Sequence, residues 1–355
     1  MARTFLIAAG GTGGHLFPGI AVATELRRRD PDVRICFVGT ARGLETRIVP
    51  AEGYPLELLP IKPLNRVGVL RLALGLLALP WAFVRAAVLL SRYRPACVFG
   101  VGGYAGGPLL LVAALAGIRT VILEPNARPG FTNRVLRPFV ARAACGYGEA
   151  RDYFGAKGVL TGTPIRGGFA NLPARQRQVP VNLLVIGGSQ GSAVLNRTLV
   201  EALSHLPQSD RIAIVHQTGE RMHHEVERAY AQQSRAARIV PFVNDMERAL
   251  ADADLVISRS GATTCAELSA AGKASVLVPF ARAADDHQRS NAKAMEASGA
   301  SIMLEERDLS GSVLANTITD LIDAPERIGD MEIAARRLSR PDAASRVADL
   351  LEGAA

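Results

Sequence analysis

Three stretches of this chain have the residue types that let a backbone close on a phosphate. They are Gly10-Gly11-Thr12-Gly13-Gly14-His15, Gly187-Gly188-Ser189-Gln190-Gly191 and Ser258-Arg259-Ser260-Gly261-Ala262-Thr263-Thr264-Cys265-Ala266-Glu267. In each, an apolar run ends and a helical pattern begins. Glycine brings N–H groups close to a ligand, and the first turn of a helix favours negative charge. A tight turn alone would also account for the glycines. The stretch at Gly187 is the weakest by itself, although Ser189 adds a hydroxyl and the N–H groups after it can hold a diphosphate.

Two side chains in these stretches could do chemistry. His15 stands where a helix opens at the carboxyl edge of a sheet, and a neutral imidazole there can take a proton from an attacking hydroxyl. Its alternative role is capping or packing. Glu267 lies one turn into its helix, where a carboxylate can accept both hydroxyls of a ribose. The alternative is a first-turn acid that stabilises the helix dipole by about 0.3–1 kcal/mol. Further on, Asp285-Asp286-His287-Gln288 and Asn291 follow an apolar run ending at Pro279-Phe280. Side-chain amides both donate and accept, which suits sugar hydroxyls.

The spacing argues against a dinucleotide. That fingerprint needs G-x-G-x-x-G and an acid about 20 residues on, whereas Gly39-Thr40 ends the second apolar run here. Nor does an Asp-x-Asp pair follow a strand; Asp252-x-Asp254 precedes one. The expectation is a protein with no cofactor and no metal.

The elements that must position these residues follow from periodicity. Thr4–Ala9, Arg34–Val38, Cys97–Val101 and Thr120–Leu123 read as strands, each closed by Gly or Pro punctuation and spaced by helical stretches. The pattern restarts at Val181–Ile186 and continues through Ile212–Gln217, Ala237–Val240, Leu255–Ser258 and Ser275–Val278. Strand–turn–helix units of this kind give a parallel, doubly wound sheet. The fold class expected is therefore α/β with two Rossmann-like domains, matching a length of 355 residues at about 150 per domain. The expected domains are 1–163 and 181–341, with 164–180 as linker and a closing helix in 342–355 that packs back on the first domain.

Charge is divided unevenly. Residues 1–163 hold 20 Lys and Arg against 9 Asp and Glu, a balance of +11; the remainder holds 21 against 24, or −3. Between Glu57 and Glu149 there are eleven basic residues and one acid, Glu124. Inside that stretch lies an apolar run, Leu72 to Val84. A basic surface beside exposed apolar side chains suits an anionic membrane face, each Lys or Arg contributing about 1 kcal/mol within a Debye length. Leu72, Leu76, Leu79, Trp81 and Phe83, with Lys62, Arg66, Arg71 and Arg85, are the candidates for docking there. An ordinary buried helix with solvated arginines is the alternative. The run is too short for the roughly 20 residues of a membrane span. Ala96–Ile118 is uncharged but carries six glycines and Pro108, and reads as strand, turn and helix. The N-terminus runs straight into a strand and lacks the length of a signal peptide. Cys36, Cys97, Cys145 and Cys265 stand far apart with no metal spacing, as in reduced, buried thiols of a cytosolic protein. Basic residues are not interleaved with aromatics in a nucleic-acid module.

Taken in order, Gly10–His15, Gly102-Gly103-Tyr104, Glu124-x-Asn126, Gly187–Gly191, Ser260-Gly261-Ala262 with Glu267, and Gln288 with Asn291 resemble the MurG family of glycosyltransferases over nearly the whole chain. That resemblance implies two Rossmann-like domains facing across a cleft (the GT-B arrangement), and transfer of N-acetylglucosamine (GlcNAc) from UDP-GlcNAc to undecaprenyl-linked lipid I. It implies an enzyme peripheral to the cytoplasmic face of the membrane, with other cell-wall enzymes as further partners. By matching position, Glu267 would bind the ribose and Val243 the uracil. Ser189 and the helix opening at Ala262, Thr263 and Thr264 would hold the diphosphate, and Gln190, Cys265 and Ala266 would also bind substrate. Gln288, Asn291 and His287 would read the sugar, and Arg166 would lie on the donor side. His15 would be the base, with Glu124 as second candidate. Tyr104, Glu124, Asn126 and Asn133 would line the acceptor cleft, and Thr12, Gly13 and Gly14 would also bind substrate. The chain departs from common members at Leu123-Glu124-Pro125-Asn126, at Gly162-Thr163-Pro164 and at His287. The nearest rivals are other UDP-sugar enzymes of this fold, a glycolipid synthase or a sugar-nucleotide epimerase.

Overall fold

The structure, a computed structural model, describes residues 3–10, 13–41, 43–61, 69–103, 106–173, 178–188, 190–206, 210–281, 283 and 286–353, with backbone only for 69–76. Thr12, Lys62, Arg66, Tyr104 and Ser189 lie outside the described residues, as do the side chains of Arg71, Leu72 and Leu76.

The chain divides into two compact units, Met1–Arg166 with Arg340–Ala355, and Gly167–Ser339. In the first, the strands are β1 (Thr4–Ala9), β2 (Arg34–Gly39), β3 (Leu56–Leu58), β4 (Cys97–Gly102), β5 (Arg119–Glu124), β6 (Arg142–Cys145) and β7 (Gly158–Leu160). They form one sheet in the order β3-β2-β1-β4-β5-β6-β7. The helices are α1 (Gly13–Arg29), α2 (Glu45–Ala51), α3 (Val69–Tyr93), α4 (Gly106–Leu115), α5 (Phe131–Leu136) and α6 (Gly148–Phe154). The second unit holds β8 (Val181–Ile186), β9 (Ile212–Gln217), β10 (Arg238–Val240), β11 (Leu255–Ser258), β12 (Ser275–Leu277) and β13 (Ser301–Met303), in the order β10-β9-β8-β11-β12-β13. Its helices are α7 (Ala193–Ala202), α8 (His223–Gln232), α9 (Met246–Asp252), α10 (Ala262–Ala271), α11 (His287–Ala297), α12 (Gly311–Asp323) and α13 (Pro325–Leu338). The last helix, α14 (Ala343–Glu352), belongs to the first unit.

All the strand pairs are parallel. A parallel sheet is covered on both faces, so its central strands must be apolar at every position. In β1, Phe5, Ile7 and Ala9 enter one core, and Leu6 and Ala8 enter the other. α1 and α14 cover the first face, α3 and α4 the second. Val347, Ala348, Leu350 and Leu351 of α14 are buried there, while Arg29 of α1 pairs with Asp349 and Glu352.

Strand order reverses between β1 and β4, and again between β8 and β11. Ligands of open α/β sheets bind beyond the carboxyl ends at such a reversal. In the first sheet the β1–β4 register also slips at Ala8/Ala9, so Ala9 pairs with Gly102. The slip re-aims the backbone at that edge.

A buried polar network lies under the second sheet's edge. His216 is fully buried, with Nε2 3.1 Å from Asn196 Oδ1 and Nδ1 3.2 Å from Tyr230 Oη. Asn196 Nδ2 donates to Thr218 O, so its Oδ1 must accept from His216 Nε2–H, and Nδ1 must accept from the Tyr230 hydroxyl. The neutral ring satisfies every partner. Burial pulls the imidazole down from 6.5 to about 4. The unfolded chain therefore binds a proton that the native state refuses. Stability is complete above pH 6.5 and is lost as pH falls toward 4, by at most about 3 kcal/mol. Urea midpoints at pH 7.5 and pH 4.5 should show that extra loss in the native chain and not in His216→Gln; equal losses in both would rule the histidine out.

Candidate functional site

In the first unit, β1 ends at Ala9 and α1 opens at Gly13, so His15 lies in the first helical turn. No acid occupies that turn, and its N–H groups have no intrahelical acceptor. The His15 ring lies along the backbone that leaves β4. A Cβ at Gly102 would stand 2.6 Å from His15 Cδ2, and one at Gly103 would stand 3.0 Å from Gly10 O and 3.5 Å from His15 Nδ1. Both glycines have positive φ, 119° and 77°. The imidazole thus rests on a bed that only glycine can form.

Glu124 ends β5 and is 1% exposed. Its Oε1 accepts from Asn126 N (3.1 Å) and Nδ2 (3.0 Å), and its Oε2 from Gly130 N (2.9 Å) and Asn133 Nδ2 (2.8 Å). Asn133 also donates to Leu123 O. One carboxylate therefore closes the 125–130 loop and docks α5. Burial pushes its carboxyl up, while N–H donors from Asn133, Gly130 and Asn126 pull it back. All four partners are donors, so the pocket fits the anion. Asn126 is half-buried beside it. Arg166 is exposed, its guanidinium 4.3 Å from the Phe17 ring, two residues past His15. It belongs to the first unit, whereas the other residues expected on the donor side belong to the second.

In the second unit, the loop after β8 reaches Ser192, whose hydroxyl caps α7. Gln190 in that loop is exposed. The segment after β11 opens α10 at Ala262, with Gly261 at the cap and no side-chain cap bond. Ala262, Thr263 and Thr264 are half-buried, and their N–H groups point toward whatever lies at the opening. Cys265 is fully buried and its N–H donates to Gly261 O (2.9 Å); Ala266 and Glu267 are half-buried. Val243 is half-buried after β10.

The amides after β12 do more holding than the sequence suggested. Asn291 is fully buried and donates to Ser260 O (3.1 Å). Gln288 accepts Phe280 N on Oε1 (2.9 Å), and its carbonyl accepts the Ser260 hydroxyl (2.8 Å). Both fasten the residue before the α10 opening. His287 starts α11, half-buried.

Arg259 had no assigned role in the sequence. Its guanidinium is buried, donating to Val278 O (3.0 Å), Ser192 Oγ (2.7 Å) and Glu306. It links the end of β11 to the α7 cap and to the chain leaving β12. Burial pushes its pKa down, opposed by Glu306. Among the described residues, no group of three or more His, Cys, Asp or Glu is placed to hold a metal ion.

The helix expected at the lipid face divides by its period. Leu77 and Trp81 of α3 are 73% and 71% exposed, and Val84 and Val88 continue the same face at i+7 and i+11 from Leu77. Leu79 packs against the core and Phe83 is half-buried. Arg85 is tied to Glu57 (2.7 Å), which also holds Arg92 and Tyr93. Among the described residues no helix is long and apolar enough to cross a membrane.

The glycosyltransferase family 28 N-terminal domain matches residues 5–145, and the family's C-terminal domain matches residues 182–347. A protein of Myxococcus xanthus (strain DK1622), named UDP-N-acetylglucosamine--N-acetylmuramyl-(pentapeptide) pyrophosphoryl-undecaprenol N-acetylglucosamine transferase, is 46% identical over 97% of this chain and 91% of its own. One of the same name from Syntrophus aciditrophicus (strain SB) is 44% identical over 98% of each chain. Among solved structures, Acinetobacter baumannii MurG superimposes with a TM-score of 0.83 at 31% identity, covering 99% of this chain and 100% of that one. A UDP-N-acetylglucosamine 2-epimerase of Listeria monocytogenes shares the fold alone, at 12% identity and a TM-score of 0.70.

Proposed function

The chain belongs to the MurG family within glycosyltransferase family 28, and from that premise we propose that it moves GlcNAc from UDP-GlcNAc to the C4 hydroxyl of the muramyl sugar of lipid I, giving lipid II. The observation that carries the mechanism is the placement of His15 and of the α10 opening. Each stands at the carboxyl end of its own sheet's reversal point.

The reaction is a single displacement with inversion. The C4 oxygen forms a bond to the anomeric carbon, the bond from that carbon to the diphosphate breaks, and UDP departs with the electron pair. The hydroxyl proton passes to the His15 imidazole. Charge grows on the leaving diphosphate, so donors already aimed at it lower the barrier. The N–H groups of Ala262–Thr264 and the loop after Gly187 supply them, and Arg259, paired with Glu306, braces the Ser192 cap between them. Glu267 accepts the ribose hydroxyls and Val243 meets the uracil through its backbone. Gln288 and Asn291 hold the Ser260 segment from which the α10 N–H groups and Glu267 project. Asn126 and Asn133, held by Glu124, line the acceptor site with Gly13 and Gly14.

The test is transfer of label from UDP-GlcNAc to a lipid I analogue by the purified chain, run with EDTA, with UDP-GalNAc as alternative donor and diacylglycerol as alternative acceptor. Label in diacylglycerol, or a changed sugar from donor alone, would make it a glycolipid synthase or an epimerase.

The acceptor is lipid-linked, and α3 supports a seat on the cytoplasmic face of the membrane. Leu77, Trp81, Val84 and Val88 form its apolar stripe, within the basic half of the chain. Trp81→Glu with Leu77→Glu should abolish co-sedimentation with anionic vesicles and leave turnover of a water-soluble acceptor unchanged. Undiminished vesicle binding would move the seat elsewhere.

A further inference from the structure

Gln217, the last residue of β9, is 3% exposed and takes no part in the site as described so far. Its Oε1 accepts Gly187 N (3.1 Å), while its Nε2 donates to Gly188 O (3.1 Å) and to Pro241 O (3.2 Å). The partners dictate the amide's orientation. A backbone N–H needs the oxygen and two carbonyls need the nitrogen, so the reversed amide would lose all three bonds. One side chain therefore joins the loop after β8 to the loop after β10.

The backbone tightens the same joint. Thr218 N donates to Val240 O (3.0 Å) and Gly219 N to Pro241 O (3.1 Å). Gly191 (φ 71°) leaves 2.1 Å between a Cβ and Thr218 O, and Gly219 (φ 77°) leaves 2.5 Å to Gln190 O. The chain leaving β9 is wedged between the other two loops.

We propose that Gln217 is a positioning residue that fixes the distance between the glycine loop at Gly187 and the loop carrying Val243, so that one nucleoside diphosphate spans both. This rests on the donor assignment above. A ligand with two linked parts gains affinity only when both halves of its site are held at the right separation. Loss of the clamp therefore weakens the linked ligand and spares the separate parts.

The experiment compares wild type with Gln217→Met, which keeps the volume and removes all three bonds. UDP, uridine and pyrophosphate are titrated separately by ligand-detected NMR, and donor kinetics are measured. UDP should bind about tenfold more weakly and donor KM rise about tenfold, while uridine affinity, pyrophosphate affinity and kcat stay within about twofold. Where Gln217→Met does not fold, Gln217→Ser, which leaves room for a water, carries the same readout. UDP affinity unchanged would overturn the clamp. Uridine weakened as much as UDP would also overturn it, leaving a side chain that merely supports the uracil loop. A wild type that binds no UDP would overturn the donor assignment, and this inference with it.

Discussion

His15→Ala should lower kcat about 10²–10⁴-fold, the usual contribution of a positioned general base, with UDP affinity little changed. The imidazole stands in the first turn of α1, and a neutral ring there can take the hydroxyl proton. Its place is held by Gly102 and Gly103, where any Cβ would meet the ring or the Gly10 carbonyl. Gly102→Ala should reproduce much of the same loss without touching the imidazole's chemistry, because a base displaced by an ångström no longer reaches its proton. Combining the two changes should add little to His15→Ala alone. Full turnover by His15→Ala would remove it from the reaction.

Glu124→Ala should cost on the order of 3–5 kcal/mol of stability in the first unit and abolish turnover. It removes the carboxylate that accepts four N–H bonds, and hydrogen bonds to a charged group contribute about 1.5–3 kcal/mol each before relaxation. Without the carboxylate, the 125–130 loop loses its closure and Asn133 keeps only its bond to Leu123 O. Urea denaturation measures the first effect, and lipid I transfer the second. Glu124→Gln separates an organising role from a chemical one. The amide has one oxygen to offer where two pairs of donors converge, so an organiser loses stability and activity together. A Glu124→Gln chain as stable as the native one but inert would instead make Glu124 the base.

Much of this architecture could be read before any coordinates. The paired apolar runs, the glycine stretches that end them and the restart at Val181 follow from period-two and period-3.6 patterning and from turn chemistry, which are local. The short strands Leu56–Leu58, Arg142–Cys145, Gly158–Leu160 and Ser301–Met303 were not visible. Three or four residues carry too little periodicity to stand out, and Arg142-Ala-Ala-Cys has no β-branched residue. Such segments become strands because a neighbouring strand offers its free edge.

The site divides in the same way. That glycine turns stand at Gly10, Gly187 and Gly261, and that His15 lies in the first turn and Glu267 one turn into the helices after them, depends on residues adjacent in the chain. The amino-acid sequence alone determined it. That Glu124 is spent on four donors, that Arg259 is buried between two loops, that Gln217 ties Gly187 to Pro241, and that α3 turns Leu77, Trp81, Val84 and Val88 outward was settled only by the tertiary structure. Each of those outcomes depends on which distant segment arrives to donate, accept or cover, and that is decided by packing the whole sheet.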